Sequence, residues 1–118
     1  MPKSSILGRG HAPGDLIPGT LDMLILKAVS RGPAHGYAIA EWIHAVSREA
    51  LQVEEGALYP ALHRLELRGM LDSEWRLSKT NRRVKSYRLT TNGRNRLAAD
   101  RKHWARLTAG MVRVLKSP

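Results

Sequence analysis

Chemistry in a chain of 118 residues has to come from few side chains, and several of the usual ones are absent or badly spaced. There is no cysteine, which removes disulfides, thiolate nucleophiles and the common cysteine-containing zinc sites together. The five histidines, His11, His35, His44, His63 and His103, form no ligand constellation. His35 and His44 stand nine apart, a spacing that does not share one helical face. Around His35-Gly36-Tyr37 there is no carboxylate pair, no serine in an elbow turn and no second histidine at metal spacing. These three residues are therefore structural in expectation: His35 caps a helix, Gly36 permits a tight entry and Tyr37 packs into the core. No enzymatic activity, cofactor or metal is expected.

What remains is charge. Lys and Arg number 20 against 10 acidic residues, a formal net charge of +10. Residues 71–118 hold thirteen bases and three acids, so the excess lies in the last two-fifths. Arg76, Lys79, Arg82, Arg83, Lys85 and Arg88 follow one another in thirteen residues without an acid. Such a cluster implies a polyanionic partner. A membrane is not the expected one, because Lys27 breaks the longest apolar run far below the roughly 18 residues of a span. The N-terminus has no apolar stretch of signal-peptide type, and a soluble cytoplasmic protein is expected.

The elements that must carry these residues follow from periodicity. Residues 1–19 are rich in Gly and Pro and read as a flexible arm, with Lys3 and Arg9 as additional cationic contacts and Leu16 and Ile17 tying it to the domain. Thr20 is placed as N-cap of a first helix whose Leu21, Leu24, Ile25, Ala28 and Val29 repeat at helical spacing, stopped by Gly32-Pro33. A second helix is predicted from Tyr37 to Arg48, with Ile39, Ile43 and Val46 on one face. A third runs from Gly56 to Gly69 on a buried stripe of Leu58, Leu62 and Leu65, and Pro60 is placed in or near its first turn. Alternation over Leu71–Leu77 and Val84–Leu89 gives two strands, joined by a polar turn at residues 78–82 into a hairpin with a basic tip. Thr90 or Thr91 caps a last helix reaching Leu115. Three short helices, a hairpin and a long helix make a mainly α winged helix-turn-helix followed by a long C-terminal helix.

The same stretches resemble a known family. Leu16-Ile17-Pro18-Gly19-Thr20-Leu21-Asp22-Met23-Leu24-Ile25-Leu26, Pro33-Ala34-His35-Gly36-Tyr37-Ala38-Ile39 and Gly56-Ala57-Leu58-Tyr59-Pro60-Ala61-Leu62-His63-Arg64-Leu65-Glu66 are similar to blocks of the PadR-type transcriptional regulators. Arg68-Gly69-Met70-Leu71 and Ser86-Tyr87-Arg88-Leu89-Thr90-Thr91-Asn92-Gly93 continue the match. The length resembles the short subfamily, in which one C-terminal helix per subunit builds the dimer. The resemblance implies a homodimeric regulator, expected to be a repressor of an inverted-repeat operator, with Tyr59 facing double-stranded DNA. One departure is Glu54-Glu55, where the family often has Ser-Pro. Two carboxylates suit a helix N-terminus but repel phosphate.

The candidate DNA-binding residues are accordingly Gly56, Ala57, Tyr59, Pro60, His63 and Arg64 on the third helix and Lys79, Arg82, Arg83 and Lys85 at the wing tip. Gly56 and Ala57 let a backbone come close. In the last helix Leu97, Trp104 and Met111 stand seven apart with Leu107 and Val114 interleaved, a heptad-like seam for a second subunit. Trp104 is an interface anchor there, and the resemblance to drug-binding members implies a small aromatic or drug-like effector between the two copies. The expected organisation is an arm over 1–19, a DNA-binding domain over 20–90 and a dimerisation helix over 91–116. The rival from charge alone is a basic RNA-binding or ribosome-associated protein, which leaves the hairpin behind the third helix unexplained.

Overall fold

The computed structural model describes residues 19–118; the arm with Lys3, Arg9, Leu16 and Ile17 lies outside the described residues. The elements are α1 (Thr20–Ser30), β1 (Ala34–His35), α2 (Gly36–Val46), α3 (Glu55–Leu67), β2 (Leu71–Leu77), β3 (Arg83–Leu89) and α4 (Thr91–Lys116). Each helix turns its apolar repeat inward. Ile25, Leu26, Ala28 and Val29 of α1, Ile39 and Ile43 of α2, and Leu58, Ala61, Leu62 and Leu65 of α3 form one core with Leu71, Tyr87, Leu89 and Leu97. The result is mainly α, with a small antiparallel sheet of order β1-β3-β2 behind α3 and a long helix after it. That is the winged helix-turn-helix with its trailing helix.

The hairpin register puts Leu71 opposite Leu89, Ser73 opposite Tyr87, Trp75 opposite Lys85 and Leu77 opposite Arg83. The first two pairs lie on the helices; the last two belong to a wing that projects past the core, leaving Trp75 and Leu77 exposed. β1 has no counterpart in the sequence-based expectation, since two residues cannot display a period. It completes the sheet by pairing Ala34 with Tyr87 and His35 with Ser86.

Several boundaries differ from expectation for definable reasons. Gly19, at φ 94°, is the N-cap of α1, and Thr20 is already its first helical residue. α2 ends at Val46 because Arg48 and Glu49 both turn left-handed, with φ of 56° and 67°, and Val46 is left exposed past the core. Tyr37 does not pack inward; it is 62% exposed. Its hydroxyl lies beside the Glu41 carboxylate, whose hydrogen bond and charge raise the tyrosine pKa. Pro60 is the sixth residue of α3, beyond the first turn. Having no N–H, it cannot donate the usual helical hydrogen bond to the Gly56 carbonyl. His35 does cap α2, its Nδ1 accepting the Ala38 N–H at 3.3 Å. α3 ends with the Gly69 N–H on the Glu66 carbonyl and the Met70 N–H on the Leu65 carbonyl, a Schellman closure.

α4 is docked by its first turn. The Thr90 hydroxyl accepts the Gly93 N–H at 3.0 Å and donates to the Gly69 carbonyl at 2.7 Å, joining the start of α4 to the end of α3. A β-carbon on Gly93 would overlap the Met70 carbonyl oxygen and crowd the Leu89 side chain. Gly93→Ala is therefore expected to destabilise the fold by about 1–3 kcal/mol, since backbone rather than a flexible side chain would have to move. Thermal unfolding followed by circular dichroism checks this, at about 4–8 °C per kcal/mol for a domain of this size.

Candidate nucleic-acid interface

Burying Leu58, Ala61, Leu62 and Leu65 obliges α3 to present the opposite face outward. Gly56, Ala57, Tyr59, Pro60 and His63 all lie on that exposed side. Tyr59 is 46% exposed, with its ring laid against Gly36 at the start of α2. A β-carbon at Gly36 would sit 2.8 Å from that ring, so the glycine is what allows α2 and Tyr59 to meet. Tyr59 is thus both packed on one side and presented on the other. Arg64 is engaged within the chain, its guanidinium donating to Asp22 of α1 at 2.6 Å.

The wing resolves its six bases into two sets. Arg76 lies 3.3 Å from Glu74, Arg88 lies 3.4 Å from Asp72, and Lys85 lies 3.1 Å from Glu66 of α3. Lys79, Arg82 and Arg83 have no carboxylate partner among the described residues. Lys85 is therefore not a tip residue. It faces Trp75 midway along the hairpin, its ammonium held by Glu66 and 5.7 Å from the centre of the Tyr87 ring. Arg83 carries its guanidinium 4.8 Å from the centre of the Trp75 ring. The tip itself is ordered by Ser78, whose Oγ accepts the N–H groups of Thr80 and Arg82, while Asn81 takes φ 64°. Asparagine tolerates that left-handed turn better than most residues.

Glu66 ties the two exposed elements together. It accepts the Ser73 hydroxyl at 2.6 Å as well as pairing with Lys85. The Ser73 hydrogen bond, followed by Lys85, holds the Glu66 pKa below its ordinary value. The Glu66 hydrogen bond in turn raises the pKa of Lys85. Between α2 and α3 runs a groove of about 350 Å³, lined by Tyr37, Tyr59 and His44 with the carboxylates of Glu41, Glu54 and Glu55. The Glu54 side chain makes no capping hydrogen bond, so negative charge gathers at the start of α3. Among the described residues no group of three or more His, Asp or Glu is arranged to hold a metal ion. No helix there is long and apolar enough to cross a membrane.

The seam residues of α4 divide. Leu97 is 7% exposed and belongs to the chain's own core, because the first turns of α4 pack on α1. It does not face outward as the heptad pattern suggested. Trp104 is half-buried, while Leu107, Met111 and Val114 are exposed together with Val112 and Leu115. Periodicity marks an apolar stripe but does not tell which half of it the same chain covers. The sequence does not single out Trp75 for a similar reason: alternation alone makes an aromatic on a strand look like core. The cue was its place beyond Leu71 and Ser73, opposite a run of bases.

Residues 25–99 match the family model described as the transcriptional regulator PadR-like family. The chain is 38% identical over 78 residues to transcriptional regulator Rv3488 of Mycobacterium tuberculosis, spanning 66% of this chain and 69% of that one. Among solved structures it is similar to a PadR family transcriptional regulator from Eggerthella lenta, with TM-score 0.71, 31% identity and coverage of 98% and 93% of the two chains. It is also similar to a PadR family transcription regulator from Clostridium difficile, with TM-score 0.71, 28% identity and coverage of 82% and 99%.

The Glu66 tie makes the fold sensitive to acid. A carboxyl whose pKa is lowered on folding contributes stability above its unfolded value and loses it as pH falls through the folded one. The contribution of Glu66 is therefore complete above its ordinary value of 4.5 and declines at lower pH. Glu66→Gln is expected to be less stable than the parent at neutral pH and to approach it as pH is lowered towards 3, a convergence that urea unfolding at a series of pH values measures.

Proposed function

Because the chain belongs to the PadR-like family of transcriptional regulators, we propose that it is a homodimeric repressor binding an inverted-repeat operator in duplex DNA. α3 enters the major groove with Gly56, Ala57, Tyr59, Pro60 and His63, and the wing holds the flanking backbone. The observation that carries this is the sorting of charge on the wing. Arg76, Lys85 and Arg88 each face a carboxylate, whereas Lys79, Arg82 and Arg83 have no carboxylate partner among the described residues. Each phosphate these bases neutralise lowers log K by about 0.9 per decade of salt. Arg64 and Lys85, held by Asp22 and Glu66, position the reading helix in this scheme.

Residues 20–90 then act as the reading head and 91–116 as the dimerisation helix. Leu107, Met111 and Val114 supply an apolar strip that one small core leaves uncovered, and a second copy covers it with its own. The spacing of the two α3 helices is set there, near one helical turn of DNA, about 34 Å. A small aromatic effector between the paired Trp104 side chains would act by altering that spacing.

Three measurements test the proposal. Arg82→Glu combined with Arg83→Glu is expected to abolish duplex binding in a mobility-shift titration while leaving the sedimentation mass of the dimer unchanged; retained affinity would overturn the wing assignment. Met111→Glu is expected to give a folded monomer by sedimentation, with duplex affinity reduced at least tenfold through loss of the paired head. In competition, structured RNA displacing duplex DNA from the parent chain would favour the rival class.

A further inference from the structure

The wing carries an aromatic side chain that lies outside the buried core. Leu71, at the inner end of β2, is fully buried, whereas Trp75 on the same face of the strand is 58% exposed. That face is shared by Ser73, Trp75, Arg83 and Lys85, and through Ser73 and Lys85 it meets Glu66 of α3. It therefore looks toward the reading helix, along the side where a strand of duplex would pass. Arg83 is the diagonal neighbour of Trp75 across the hairpin and lies over its ring.

The partner of a cation decides what that cation can still do. A carboxylate turns one donor of each of Arg76, Arg88 and Lys85 back onto the chain and offsets part of its charge. An aromatic face orients a guanidinium from one side and leaves its in-plane N–H donors available, which suits bidentate contact with phosphate. Lys79 and Arg82, at the tip, have neither restraint among the described residues, so fixing them on binding costs the rotamer freedom of a long side chain. Arg83 alone among the three unpaired wing bases is already aligned.

We infer that Trp75 is a positioning residue for duplex binding: its ring holds Arg83 in line for a backbone phosphate on the α3 side of the wing. This rests on the DNA-binding function proposed above. The alternative is that the stack only stiffens the hairpin. The two differ in salt dependence, because Trp75 is uncharged. Loss of a purely structural ring weakens binding without changing the number of counterions released. Loss of a positioning ring removes the counterion that Arg83 would have released.

The experiment uses the full chain and a fluorescently labelled mixed-sequence duplex, titrated over about 50–200 mM salt. Trp75→Ala is expected to weaken binding about three- to tenfold at the low-salt end, the range of one cation–aromatic contact. Its log–log salt slope should fall by about 0.9 per subunit, as for Arg83→Ala. The double variant should lose no more than Arg83→Ala alone. Trp75→Leu, which keeps the apolar cover of the hairpin but not the ring face, should repeat the loss of slope, and Trp75→Phe should recover most of it. An unchanged slope in Trp75→Leu, or losses that add in the double variant, would overturn the inference while leaving the DNA-binding function standing. A parent chain that ignores the duplex overturns both.

Discussion

The buried stripe of α3 is the constraint from which the exposed surface follows. Leu58, Ala61, Leu62 and Leu65 are essentially inaccessible, and each leucine contributes on the order of 1.5–3 kcal/mol by leaving water. Their i, i+3, i+4, i+7 spacing fixes the roll of the helix about its own axis. With that roll set, Gly56, Ala57, Tyr59, Pro60 and His63 have nowhere to go but outward. Two ion pairs sit on the shoulders of the stripe, Arg64 with Asp22 and Glu66 with Lys85. Both are partly exposed, and such pairs are worth about 0–1 kcal/mol. They trim the helix against α1 and the wing; they do not hold it in the core.

What could be read in advance divides along physical lines. Local periodicity carried the three short helices, the hairpin limits to within one residue and the Thr90 cap of α4, because each depends on neighbours in the chain. The errors concern which partner covers an apolar residue. Tyr37, Val46 and Leu97 each sit in a correct helix and were assigned the wrong surroundings, since period gives a face and not what lies against it. The charges failed in the same manner. Residues 76–88 contain no acid, so the sequence showed six equivalent bases. Arg76 pairs with Glu74 two residues before it on β2, while Lys85 and Arg88 meet carboxylates of α3 and β2 that only the fold brings near. The DNA-facing candidates of α3 were legible as an exposed set because the stripe that excludes them was legible.

The distribution of acid is as informative as that of base. Glu41, Glu54 and Glu55 line the groove at the start of α3, where the helix dipole would otherwise attract a phosphate. Lys79, Arg82 and Arg83, without a carboxylate partner among the described residues, stand on the wing instead. In the proposed mode a duplex meets repulsion at one end of α3 and attraction beyond the other, which orients it before any base edge is touched.

That polarity separates affinity from discrimination. α3 offers no free arginine on its outward face for bidentate contact with guanine: Arg64 is spent on Asp22, and the outward residues are small, aromatic or imidazole. Sequence preference in such an interface has to come from Tyr59 and His63, from water held between them and the bases, and from the shape the duplex must adopt to satisfy both α3 and the wing. In the proposed mode, binding strength is assigned to the charges on β3 and the turn before it, which face the backbone and respond to salt. On that proposal, changes at the wing scale all duplexes together, whereas changes at Tyr59 or His63 re-rank them. In the proposed DNA-binding mode the hold and the reading reside in different elements, so the reading residues can drift without loss of the hold.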